Sequence, residues 1–232
     1  MNITFAIRQI RGEMKMATIT LVIGDSGSGK TASLRHFTGK EATIFNIAKK
    51  PLPFKNTGEH KIPVVEVSGY DDLKLKLSKA RNKSLIIDDA QYLMAFEFFG
   101  SIEEKGFEKF TRMGKNFYSL VKYASSLEKD KIIYFFMHKE TSEEGQEKAK
   151  TLGRLLDEKL TLEGLFTIVL KSVVQENTTG SLNFYFSTQN SGYDRVKTPM
   201  GMFENPLIEN DLKLVDEIIR EYYELSPAGR FE

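Results

Sequence analysis

The chain of 232 residues contains no cysteine, no tryptophan and only six prolines. Without cysteine there is neither a disulfide framework nor a thiolate zinc site. Three histidines, His36, His60 and His138, stand far apart, which argues against a histidine-rich metal site. Excess charge is also missing: 33 Lys+Arg against 32 Asp+Glu leave a net charge of +1. That disfavours a histone-like protein or a basic tail, while a local basic patch stays open. No apolar run approaches the roughly 20 residues of a membrane span. The opening segment MNITFAIRQIRGEMKM lacks the apolar core and small residues of a secretory leader. The expectation is a soluble, cytoplasmic protein with no membrane partner.

What is present is an alternation of short apolar runs with helix-period stretches, the pattern of an α/β chain built on a mostly parallel sheet. Strands are expected at 18–23, 43–47, 63–67, 84–88, 132–137, 165–174 and 182–187. Tyr70 to Lys79 reads as a short helix, although the spacing of Leu73, Leu75 and Leu77 also fits a strand. Between 106 and 128, apolar residues recur every three or four positions from Phe107 to Leu127, an amphipathic helix packed on the sheet. Residues 165–187 form two runs around the polar turn Glu176–Gly180, a β-hairpin that adds antiparallel strands. Asn210 and Asp211 then cap a last helix. One domain over 1–232 is expected, with 1–16 as an optional extension and 225–232 as a frayed tail. Phe96, Phe98 and Phe99 read as core, with a contact surface as the alternative.

Residues 24–31, GDSGSGKT, satisfy the phosphate-loop pattern G-x-x-x-x-G-K-[ST]. The β-branched run Ile19–Ile23 precedes it, and Ala32 to Arg35 can continue as a helix. A loop so placed aims its backbone N–H groups at one anion. Gly24, Asp25, Ser26, Gly27, Ser28, Gly29, Lys30, Thr31 and Ala32 are therefore the candidate nucleotide contacts. Lys30 supplies a charge to the β- and γ-phosphates and the Thr31 hydroxyl a ligand to Mg²⁺. The expected ligands are ATP and Mg²⁺.

The second feature is Ser84–Asp89, a buried strand that ends in two acids, the Walker B arrangement. Asp88 is assigned to the metal, and Asp89 to the attacking water. Gln91 follows within reach of that water, and solvated loop is the alternative for it. His138 ends the apolar run 132–137, where a polar residue can read the γ-phosphate. The polar stretch that follows, 139–150, reads as a mobile loop. Beyond it, Lys159 and Arg154 are cations that could reach a γ-phosphate in the manner of an arginine finger. Lys49, Lys50 and Lys55, interleaved with prolines and Phe54, could grip a single strand of nucleic acid.

With these residues in place the chain resembles the RecA-like phage ATPases, including the single-strand annealing proteins of the Sak group. The similarity runs from strand 18–23 to Glu204. It rests on GDSGSGKT, IIDDAQYL, GRLLDEKLTLEGLFTIVL and GYDRVKTPMGMFE. It implies a RecA-like P-loop core, ATP binding, action on single-stranded DNA in recombination, annealing or replication, and assembly into rings or filaments inside a bacterial host cell. A single-strand binding protein or a helicase are further partners it suggests. One departure stands out: RecA-type recombinases carry a catalytic Glu after the strand that follows the phosphate loop. Here that strand, TIFNI, leads into AKKPLPF with no acid. Asp88 and Asp89 are then the available substitutes, and Glu66 at the end of 63–67 the reserve. The rival reading is an AAA-type helicase loader or replication accessory ATPase acting mainly through a protein partner.

Overall fold

The computed structural model describes residues 16–106, 108–152 and 160–231. The strands are β1 (Thr18–Gly24), β2 (Ala42–Asn46), β3 (Val64–Glu66), β4 (Ser84–Asp88), β5 (Ile132–Thr141), β6 (Glu147–Ala149), β7 (Ile168–Glu176), β8 (Leu182–Ser187) and β9 (Leu207–Glu209). The α-helices among the described residues are α1 (Tyr70–Lys79), α2 (Tyr92–Gly100), α3 (Glu108–Ser125) and α4 (Leu212–Tyr222). The sheet runs β3-β2-β4-β5-β1-β7-β8-β9, and β6 folds back on β5. Pairings from β3 through to β7 are parallel, whereas β7–β8, β8–β9 and β5–β6 are antiparallel. The sequence expectation of a mostly parallel sheet closed by a C-terminal hairpin therefore holds. One strand, β5, separates the phosphate-loop strand β1 from the acidic strand β4. That order makes the core RecA-like.

The central strands are apolar on both faces because both faces are covered. On one side Leu21, Ile23, Leu85, Ile87, Ile133 and Phe135 meet Leu73 and Leu77 of α1, Met94 of α2 and Phe117 and Leu120 of α3. On the other, Val22, Ile86, Tyr134, Phe136 and Leu170 meet Leu34, Val215 and Ile219. Phe135 stands edge-on to Phe166 and Phe117 at ring-centroid distances of 5.4 and 6.4 Å. Complete burial of each such ring contributes about 1.5–3 kcal/mol.

Five local expectations need correction. The stretch after the phosphate loop is a six-residue 3-10 turn, Thr31–His36, and Phe37 is already extended. Residues 139–150 are not a loose loop: β5 continues to Thr141 and returns as β6 through a turn in which Ser142 N–H donates to Gln146 O at 2.8 Å. The hairpin is held from the side by Lys171, whose Nζ lies 2.8 Å from Glu147 and 2.6 Å from Asp194. Residues 165–167 do not belong to β7, since Leu162–Leu165 is a 3-10 turn. The helix α2 was not anticipated, and on it Phe96 and Phe99 are 53% and 67% exposed, so they are surface rather than core. The tail through Phe231 is paired rather than frayed: Lys83 N–H donates to Gly229 O and Phe231 N–H to Arg81 O, both at 2.8 Å. No helix among the described residues is long and apolar enough to cross a membrane.

Candidate nucleotide site

In-register parallel pairing brings the chemistry to one edge of the sheet. Gly24 at the end of β1 lies opposite His138, and Asn46 at the end of β2 lies opposite Asp88. The strand ends open into a cleft of about 630 Å³ lined by Ser26, Gly27, Gly29–Ala32, Asp88, Asp89 and His138, among others.

The loop's shape depends on its glycines. Gly27 and Gly29 have φ of +79° and +96°, conformations that side-chain-bearing residues rarely adopt. A Cβ on Gly29 would also meet Asn210 Oδ1 and Phe184 Cδ1 at 3.0 Å, and one on Gly24 would lie 2.6 Å from Ser28 Oγ. Ser28 is buried, and its carbonyl accepts a hydrogen bond from Ser172 Oγ on β7. Asp25 points outward, 3.2 Å from Lys139.

Lys30 is 6% exposed, and its ammonium donates to the carbonyls of Gly24 and Asp25 at 2.8 and 2.7 Å. Burial lowers its pKa to about 8, against the opposing pull of Asp89, Asp88 and Asp25. Thr31 Oγ1 lies 3.0 and 3.2 Å from the two Asp88 carboxylate oxygens. Burial first, and then the neighbouring Asp89, push the Asp88 carboxyl up to about 6. This hydroxyl and carboxylate are hard oxygen donors converging on one point. No group of three or more His, Cys, Asp or Glu that could hold a metal occurs among the described residues. A pair of oxygen donors suits Mg²⁺, which takes one or two protein ligands and fills the rest with substrate phosphates and water.

Asp89 follows with φ +61°, in the left-handed region that aspartate tolerates better than most. The turn swings its carboxylate into the cleft. There Lys50 Nζ reaches Oδ2 at 2.9 Å, while His138 Nε2 and Gln91 Nε2 reach Oδ1 at 3.3 and 3.5 Å. Gln91 is 7% exposed, and its Oε1 accepts the His138 backbone N–H at 3.2 Å, so it is a bridge rather than a solvated loop residue. Burial and then the Lys30 charge hold the His138 pKa below its ordinary value, with Asp89 opposing.

The structure thus gathers Lys30, Thr31, Asp88, Asp89 and His138. It leaves Glu66 outside the cleft, 72% exposed at the side chain and 3.6 Å from Lys49. Lys159 and Arg154 lie outside the described residues. Of the three basic-loop lysines, Lys49 and Lys55 are exposed at the surface, whereas Lys50 enters the cleft. Sequence reasoning missed Asn46, Arg35, Phe184, Glu209 and Asn210 as lining residues. Asn46, the last residue of β2, could have been found by asking what stands there in place of an acid. The contributions of β8 and β9 carry no local signal.

No family model and no curated protein sequence matches the chain. Solved structures similar to it include the pilus retraction motor PilT with bound ADP, at 9% identity over 90% of this chain and 51% of that one, with a TM-score of 0.40. The flagellar accessory protein FlaH from Methanocaldococcus jannaschii is 11% identical over 79% of this chain and 82% of that one, TM-score 0.40. The ATPase DotB from Legionella pneumophila is 9% identical over 97% and 56%, TM-score 0.33. The chain spans about half the length of the PilT and DotB chains. Likeness at this level carries no activity or partner across. The protein's own strand order and phosphate loop define its class, a RecA-like P-loop α/β core.

Proposed function

We propose that this protein binds ATP with Mg²⁺ and hydrolyses it. The observation that carries the reading is the convergence of Lys30, Thr31, Asp88 and Asp89 in one cleft at the carboxyl ends of parallel strands. The glycine-bounded loop would wrap the phosphates with its N–H groups, and Lys30 would trade the Gly24 and Asp25 carbonyls for phosphate oxygens. Thr31 and Asp88 would hold Mg²⁺, which when bound neutralises phosphate charge. Asp89 orients the water and takes its proton, and His138 and Gln91 fix the direction of the Asp89 carboxylate.

The finer reading, following the family resemblance, is action on single-stranded DNA by a ring or filament of copies. Exposed Lys49 and Lys55 flank the loop that carries Lys50, Pro51 and Pro53 to the cleft, so DNA gripped there would lie beside the nucleotide. The experiment is ATP turnover with and without single-stranded DNA at two salt concentrations. Stimulation that fades with salt is expected, DNA affinity falling with a slope of about −0.7 per phosphate neutralised. Turnover indifferent to DNA, with no DNA binding at low salt, would remove the DNA reading and leave the ATPase. A second reading, an accessory ATPase that works through a protein partner, is favoured by one observation. Phe96, Phe99 and Ile102 stand 53–67% exposed on and just after α2, the helix that follows the acidic strand.

A further inference from the structure

Lys50 occupies a place for which the scheme above has no cation. The Asn46 side chain grips its backbone from both sides: Nδ2 donates to the Lys50 carbonyl at 2.7 Å, and Oδ1 accepts the Lys50 N–H at 3.3 Å. Lys49, just before it, is held at φ +54°, a left-handed conformation uncommon for a lysine. Pro51, just after it, restricts the Lys50 backbone further. These constraints build a short loop whose purpose is legible in where its side chain goes. The Lys50 stem leads its ammonium over the Tyr92 ring, 4.9 Å from the centroid, to Asp89 Oδ2 at 2.9 Å. Lys50 and Asp89 line the cleft together with Lys30, Thr31 and Asp88. The Lys50 side chain is 57% exposed, so it has room to move.

We propose that Lys50 is a cationic finger supplied by the chain itself, which leaves Asp89 for the terminal phosphate when ATP fills the cleft. The proposal rests on the ATP reading. The exchange does two things at once. It brings a positive charge to the γ-phosphoryl oxygens, where charge must be met during transfer. It also releases Asp89 from its ion pair, so that the carboxylate can accept a proton from water. The water oxygen then bonds to the γ-phosphorus as the bond to the β,γ-bridging oxygen breaks. The electron pair of that bond leaves with ADP, and the water proton passes to Asp89 and on to the released phosphate. ADP has no group to draw Lys50 away, so with ADP bound the Lys50–Asp89 pair stays closed. The site would therefore tell ATP from ADP through one lysine, without an arginine from a neighbouring subunit.

The test compares wild type, Lys50→Met, Lys50→Arg and Asn46→Ala for ATP affinity, ADP affinity and turnover, with Lys30→Ala as control. Lys50→Met keeps the stem and removes the charge. It is expected to leave ADP affinity within about twofold, to weaken ATP binding about tenfold, and to slow turnover about a hundredfold or more. Lys50→Arg is expected to recover much of the turnover, and Asn46→Ala to lose part of it by unclamping the loop. Unchanged turnover in Lys50→Met, with the wild type active and Lys30→Ala inactive, overturns the finger and leaves the ATP reading standing. Equal losses of ATP and ADP affinity also overturn it, since a merely structural ion pair would not separate the two nucleotides. A wild type that binds neither nucleotide removes both proposals.

Discussion

Asp216 is the residue whose loss should cost the fold most without touching the nucleotide cleft. It is 0% exposed on α4, and its Oδ1 accepts from Ser84 Oγ at 2.8 Å and Tyr134 OH at 2.9 Å. Its Oδ2 accepts from Arg220 Nε at 2.6 Å. Arg220 is 4% exposed and donates as well to Ser84 Oγ and to the carbonyls of Asp130 and Ser226. This network ties the last helix to the beginnings of β4 and β5. Asp216→Ala strips a buried guanidinium of its counter-charge and two hydroxyls of their acceptor. Breaking one partner of a buried pair costs about 3–5 kcal/mol. The carbonyls still bound to Arg220 place this case near the lower end. A chain of this size loses about 2–4 °C of Tm per kcal/mol, so a fall of about 6–12 °C is expected. Replacing both charges, as Asp216→Leu with Arg220→Met, should cost less than Asp216→Ala alone. Thermal and urea unfolding followed by circular dichroism give the stability. ATP affinity at 15 °C should be unchanged, because Ser84 opens β4 and Asp88 ends it. A loss below about 1 kcal/mol in Asp216→Ala would refute the reasoning that the Asp216–Arg220 pair anchors the helix.

Asp88→Asn is expected to weaken Mg²⁺-dependent ATP binding, whereas Asp89→Asn should spare binding and slow turnover about a hundredfold; titrations and single-turnover kinetics separate the two. Asp194, 2% exposed, is expected to make the protein acid-sensitive. Burial would raise its pKa, but the hydrogen bonds from Lys171 and Ser191 win and hold it below the ordinary carboxylate value. A lowered carboxylate pKa contributes stability that is present above the unfolded pKa, about 4, and is lost as pH falls through the folded value. Urea midpoints should therefore drop below about pH 4 in the wild type and less steeply in Asp194→Asn; parallel curves would contradict this.

Much of the sheet was legible because buried parallel strands must be apolar on both faces. Ile19–Ile23, Leu85–Ile87 and Ile132–Met137 announce themselves for that reason. The glycine-bounded loop and the acidic strand end stood out in the sequence by residue type and spacing, and the fold brings Gly29, Lys30 and Asp88 into one cleft. What escaped was set by contacts distant in sequence. Lys139–Thr141 are polar and extend β5 only because β6 pairs with them from outside the main sheet. The run YLMAFEFFG has no clean period, so neither its helix nor its exposed aromatics could be read from spacing. Lys50 looked like a surface lysine in a proline-rich loop, and nothing local shows that Asn46 turns it towards Asp89. Phe184 of β8 and Asn210, just after β9, close over Gly29 from parts of the chain whose position is revealed only when it is folded.

The most direct test of the nucleotide site is ATP affinity in the wild type and in Lys30→Ala, measured by calorimetry with Mg²⁺ at pH 7, below the Lys30 pKa of about 8. A charge-assisted contact of about 1.5–3 kcal/mol corresponds to a loss of roughly ten- to hundredfold, and that is the expected result. Equal ATP affinity in a folded Lys30→Ala protein, or no ATP binding by the wild type, would contradict the account.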